Sequence, residues 1–136
     1  MLKYITDDEY LKLLDADSIP DNFNNLVIEA SSYINRQTHG KIDLNNIPEQ
    51  VKYTTCLIVN LINERETKLS EINNLKSQNI EGWSESFATP EEVKADYSNK
   101  MQSVLSNFLW NVLGVNKKPL LYRGVDVIWV IFLYTK

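Results

Sequence analysis

The stretch VKYTTCLIVNLINERETKLSEINNL, residues 51–75, carries Val51, Thr55, Ile58, Ile62, Leu69 and Ile72 at alternating steps of four and three, with Arg65 at the one position where the seam lacks an apolar or threonine side chain. That alternation is the period of a helix burying one narrow face against a partner helix. Pro48 suits the first turn of such a helix, because its missing N–H falls where no intrahelical acceptor exists. Continued to about residue 75, the helix is roughly 40 Å long at 1.5 Å per residue. This is more than a domain of this size needs to cover its own core. On the exposed side, Glu64 and Lys68 stand at the favourable i,i+4 spacing. The reading fixes the fold class as mainly α, a small helical bundle.

Upstream, Phe23, Leu26, Val27, Ala30, Tyr33 and Ile34 recur along one helical face, predicting a helix over about residues 21–38 that stops at His39-Gly40. Thr6-Asp7-Asp8-Glu9 has the spacing of a capping box and opens a short helix to about residue 14. Downstream, residues 76–88 lose helical periodicity and gather Ser, Asn and Gly around Trp83 and Phe87, which predicts a loop or short hairpin between the two long helices. Thr89-Pro90-Glu91-Glu92 combines an N-cap, a proline at the first helical position and a capping glutamate. From there Val93, Tyr97, Met101, Val104, Leu105, Phe108, Leu109, Val112 and Leu113 continue one broad face up to Gly114. The core is expected to include Leu26, Ala30, Ile34, Ile58, Ile62, Leu105, Phe108 and Leu109. The domain plan is a helical bundle over residues 1–114 and an extended C-terminal arm over residues 115–136.

The arm contains eight consecutive apolar residues, Val127-Ile128-Trp129-Val130-Ile131-Phe132-Leu133-Tyr134, followed by Thr135 and Lys136. Eight is far short of the roughly 20 residues of a membrane-spanning helix, and the Val, Ile and aromatic content favours a strand. A strand needs a neighbouring edge, and no second convincing strand pattern exists in the chain. Trp83 and Phe87 pose a similar question, since aromatics in a polar loop either cap the bundle or anchor a contact with another subunit.

The chemistry-bearing residues are sparse. A formal charge of -4 argues against a sequence-independent nucleic-acid binder, which relies on clustered Lys and Arg. The single cysteine, Cys56, lies in an apolar helical stretch and reads as structural. The sole histidine, His39, sits beside a glycine at a helix end with no acidic or cysteine cluster at metal-ligand spacing. Four glycines form no phosphate-cradling loop. The carboxylates Asp7, Asp8, Glu9, Glu91 and Glu92 fall in first helical turns, where the helix dipole favours negative charge. The opening residues turn acidic without the apolar core of a signal peptide, so synthesis in a cytoplasm is expected. The expectation is a protein with no catalytic activity, no metal and no cofactor. A small helical regulatory or interaction protein of phage or bacterial origin is the alternative class, and would carry a basic recognition helix if it read DNA.

Taken in order, Tyr4-Ile5-Thr6-Asp7-Asp8-Glu9-Tyr10, the helix over 21–40, the long helix after Pro48, the Trp83-Ser84-Glu85-Ser86-Phe87 loop, the helix ending near Leu113 and Leu120-Leu121-Tyr122-Arg123-Gly124-Val125 span most of the chain. This arrangement resembles the head-tail connector (adaptor, or head-completion) proteins of long-tailed bacteriophages infecting Gram-positive bacteria. The Tyr-Arg-Gly-Val run carries most of the resemblance, while the apolar residues 127–134 extend beyond the family pattern. The resemblance implies a virion protein of the neck, assembled in the host cytoplasm. Its subunits form a homo-oligomeric ring, dodecameric in the family, that docks on the portal protein, receives a downstream stopper or tail-completion protein, and surrounds a channel through which DNA passes without specific binding. Leu121, Tyr122, Arg123, Gly124, Val125, Ile128, Trp129, Ile131 and Phe132 are then the expected portal- or partner-binding residues, and Trp83 and Phe87 the expected inter-subunit or neck contacts. Net negative charge suits such a ring, because an acidic or neutral lumen avoids phosphate contacts that would stall passage.

Overall fold

The computed structural model describes residues 2–77, 89–114, 117 and 119–121, with the backbone alone for 75–77. Four helices follow one another, α1 Asp7–Leu14, α2 Phe23–Gln37, α3 Glu49–Ser77 and α4 Pro90–Leu109. The molecule is a mainly helical bundle in which α3 packs against each of the other three. The expected loop or hairpin over residues 76–88 begins later than expected, since α3 continues through Ser77, and residues 78–88 lie outside the described residues.

The helix starts follow their cap residues. Thr6 accepts the Glu9 N–H at 3.2 Å while the Glu9 carboxylate accepts the Thr6 N–H at 3.0 Å, the reciprocal capping box that opens α1. Thr89 accepts the Glu92 N–H at 3.2 Å and Pro90 is the first residue of α4. The end of α2 is a Schellman closure, in which the His39 N–H reaches the Arg36 carbonyl at 3.2 Å and the Gly40 N–H reaches the Asn35 carbonyl at 3.0 Å. Both His39 (φ 55°) and Gly40 (φ 70°) are left-handed, so the first left-handed residue of the closure is the histidine rather than the glycine.

The seam of α3 is buried as its spacing requires. Val51, Thr55, Ile58 and Ile62 are essentially inaccessible, Ile72 is buried further along, and Leu69 is half-buried. Val51, Ile58 and Ile62 join Leu26, Val27, Ala30 and Ile34 of α2, Tyr10 of α1 and Met101, Leu105 and Leu109 of α4 in one main core, which also takes in Tyr4 and Ile5 before α1. A second, smaller cluster of Ile72, Val93 and Tyr97 lies between the C-terminal half of α3 and the start of α4. The length of α3 is therefore used by α4, which runs antiparallel to it. Arg65, the gap in the seam, is partly buried and answers Glu29 of α2 and the neighbouring Glu66, each at 2.8 Å.

Two expectations about packing are corrected. Phe108 is 39% exposed and lies at the rim, edge-on to Tyr53 with ring centroids 5.4 Å apart, because α4 turns its Leu105 and Leu109 face to α3. Glu64 and Lys68 do not pair with each other. Both meet Tyr97 instead, Glu64 accepting from its hydroxyl at 3.5 Å and Lys68 lying 5.5 Å from its ring centroid, where an aromatic of the facing helix supplies a less solvated partner.

Helix α4 ends at Leu109 rather than continuing to Gly114. The chain then folds back on itself. Leu113 and Pro119 form an antiparallel bridge, the Leu120 N–H donates to the Val112 carbonyl at 2.9 Å, and Lys117 adopts a φ of 59° in the turn between. Leu120, beyond the expected bundle boundary at 114, is fully buried in the main core, and Leu121 is half-buried against it. The bundle thus includes Leu120 and Leu121, and residues 122–136 lie outside the described residues.

Candidate assembly surface

The end of the bundle from which residue 122 departs is built by two segments pressed together, the α2–α3 connection and the chain folded back after α4. Gly114 marks their meeting point, since a Cβ there would stand 2.3 Å from the Lys41 carbonyl oxygen and 2.5 Å from the Leu120 side chain. Lys41 Nζ donates to the Pro119 carbonyl at 3.1 Å across the same seam. Between the segments lies a cavity of about 400 Å³ bordered by Ile42, Pro48, Leu113 and Leu120, with Asp43, Asn46 and Lys117 at its polar margin.

Large apolar side chains are exposed at and near this end. Leu44 (60%) sits in the α2–α3 connection, while Trp110 (69%) and Leu113 (53%) follow α4, and Phe108 precedes them by half a turn. Single exposed apolar side chains are ordinary, but Leu113 combines exposure with a place on the border of the cavity, which makes this end the candidate contact surface. Trp110 was legible in part, because it continues the Ser103 and Asn107 face of α4, which is polar and turned from the core. Leu44, between Asp43 and Asn45, is a single apolar residue in a polar stretch and carries no periodic signal.

Of the expected site residues, Leu121 is half-buried against the core at this end. Tyr122, Arg123, Gly124, Val125, Ile128, Trp129, Ile131 and Phe132 lie outside the described residues, as do Trp83 and Phe87. No side-chain constellation of the tail is brought together by the described structure.

A second cleft, of about 340 Å³, lies where the N-terminal segment meets α2 and the start of α3, bordered by Lys3, Tyr4, Thr6, Asp7, Glu9, Phe23 and Lys52 among others. Its charges neutralise one another, with Lys52 Nζ donating to the Glu9 carboxylate. The hydrogen bond from Lys52 holds that carboxyl below the usual range, against the opposing effect of burial. Burial pushes the Tyr4 hydroxyl up to about 12 and the Cys56 thiol up to about 11, which keeps both protonated at neutral pH. A protonated, fully buried thiol is a packing group rather than a nucleophile. Among the described residues no group of three His, Cys, Asp or Glu side chains could hold a metal ion, and no helix is long and apolar enough to cross a membrane.

Comparison with known proteins adds no relative, since no protein-family model, no curated protein and no solved structure matches the chain.

Proposed function

We propose that this chain is a structural virion protein, a ring-forming head-tail connector of the adaptor type that docks on the portal and links the capsid to the stopper or tail around the DNA channel. The observation that carries the reading is the Leu120-Leu121-Tyr122-Arg123-Gly124-Val125 run, which starts at the fold-back and leads into the apolar residues 127–134. Two features of the fold support it. The chain has the two long helices of a small bundle, and its tail departs from an end that exposes Leu44, Trp110 and Leu113. In this reading the protein performs no catalysis and holds no metal or cofactor, and its work is to join two larger assemblies. The tail adds to its partner as an extended segment, its main chain supplying hydrogen bonds and alternate side chains the register. Arg123 contributes a charge-assisted contact to a carboxylate or carbonyl, and Gly124 permits close backbone approach. Trp83 and Phe87 contact a neighbouring subunit or the next neck protein.

Portal co-sedimentation tests this. Among the described residues, the buried members of the main core run from Tyr4 to Leu120, and a chain ending at Leu121 keeps all of them. The full chain is expected to sediment with its portal and the shortened chain to remain folded but unbound. Equal binding by both would remove the tail from the docking contact, and no binding by either would remove the portal.

A further inference from the structure

We infer that the far half of the α3–α4 pair, residues 63–74 of α3 with residues 90–100 of α4, is a limb that opens as a unit of its own while the rest of the bundle stays folded. Nothing in this depends on the connector reading. Three observations carry it.

The first is how burial is divided along the two helices. Through Thr54, Thr55, Cys56, Ile58, Val59 and Ile62 the first half of α3 buries side chains over a broad arc, because α1, α2 and α4 all pack on it. From residue 63 to residue 74 the only buried side chain is Ile72, and from Pro90 to Lys100 the only two are Val93 and Tyr97, about one helical turn apart. That is the pattern of two helices touching along one stripe. The second is that the apolar contacts fall into two clusters. The α3 and α4 members of the main core stop at Ile62 and Met101, whereas Ile72, Val93 and Tyr97 form a separate cluster, and the half-buried Leu61 packs against both. Arg65 stands at the boundary and holds Glu29 of α2 at 2.8 Å, so a charged tie replaces the apolar seam where the two units meet. Interrupted burial of this kind divides a fold into parts that open separately.

The third is what covers Tyr97. Lys100 Nζ lies 4.4 Å and Lys68 Nζ 5.5 Å from its ring centroid, and its hydroxyl donates to Glu64 at 3.5 Å. Solvated charges on long side chains add little, and a hydrogen bond of that length is weak. The limb is therefore held mainly by three buried side chains, and helices draw most of their stability from such packing rather than from their own propensity. Its opening exposes only this small cluster, whereas opening the main core is global unfolding. The limb is thus the part of the described chain that a contact can reshape without dismantling the bundle.

Native-state hydrogen exchange on the full chain tests it. Amides of residues 66–74 and 94–100 should share one level of protection, at least about a hundredfold below that of residues 55–62 and 105–109. Ile58→Ala, in the main core, should speed exchange of the second set at least about tenfold and leave the first set unchanged, because the limb opens without exposing Ile58. Val93→Ala should speed exchange of the limb. Ile58→Val is the milder core variant should Ile58→Ala lose its thermal transition. Equal protection of the two sets overturns the inference, as does acceleration of both by the same factor in the Ile58 variant, since the bundle would then open only as a whole. Protection that merely declines toward Ser77 and Pro90 overturns it too, because that is fraying of helix ends and not a unit.

Discussion

Gly114 is the residue on which the end of the bundle turns. Its backbone approaches the Lys41 carbonyl so closely that a Cβ would stand 2.3 Å from that oxygen, and backbone cannot give way as a flexible side chain can. Gly114→Ala should therefore cost about 1–3 kcal/mol by forcing the two segments apart, measured by denaturant unfolding. A cost within about 0.5 kcal/mol, the range of ordinary surface changes, would mean that the fold-back is not pressed against the α2–α3 connection. Glu9 offers a pH-dependent counterpart. Its folded pKa is lowered by Lys52, so its contribution is present above the unfolded carboxyl value and is lost as pH falls through the folded one. Both partners are about a third exposed, at 31% and 32%, which keeps the contribution below about 1 kcal/mol. Unfolding at neutral and acid pH should show Glu9→Gln losing less stability on acidification than the unaltered chain, and identical losses would contradict the pairing.

At the scale of elements, the buried and rim positions of α4 should separate cleanly. Leu105→Ala empties a fully buried site and should cost about 2–5 kcal/mol. Phe108→Ala loses chiefly an edge contact with Tyr53 and should cost about 0.5–1.5 kcal/mol. Equal costs in the same unfolding assay would return Phe108 to the core. The helices themselves were legible because their signals are local. The four-and-three seam from Val51 to Ile72, the reciprocal Thr6 and Glu9 pair and the Thr89-Pro90 start each need only a few neighbouring residues to act. The fold-back after Leu109 was not legible, because it depends on Lys41 and Leu120 meeting Gly114 from far along the chain, and periodicity alone would carry the helix through Val112 and Leu113. Phe108 failed for a related reason, since a broad apolar face contains rim positions that only the partner helix distinguishes from central ones. The apolar tail announced itself by composition, but the exposed side chains at the end of the bundle did not, since Leu44 is an isolated apolar residue in a polar stretch.

For the whole molecule, the proposed function makes the bundle a subunit that completes its burial by association, with the apolar residues 127–134 following Leu121 in sequence. The antiparallel α3–α4 pair gives that subunit its length, and the α2–α3 connection with the fold-back gives it a shaped end. In the proposed function these parts serve a ring on a portal. Mass measurement of the purified full chain at micromolar concentration, alone and with its portal, tests it most directly. The connector proposal predicts self-association of the chain and, with portal present, a single complex whose added mass corresponds to a closed ring, a dodecamer as the resemblance implies. A chain that remains monomeric at every concentration and adds no mass to the portal would contradict it.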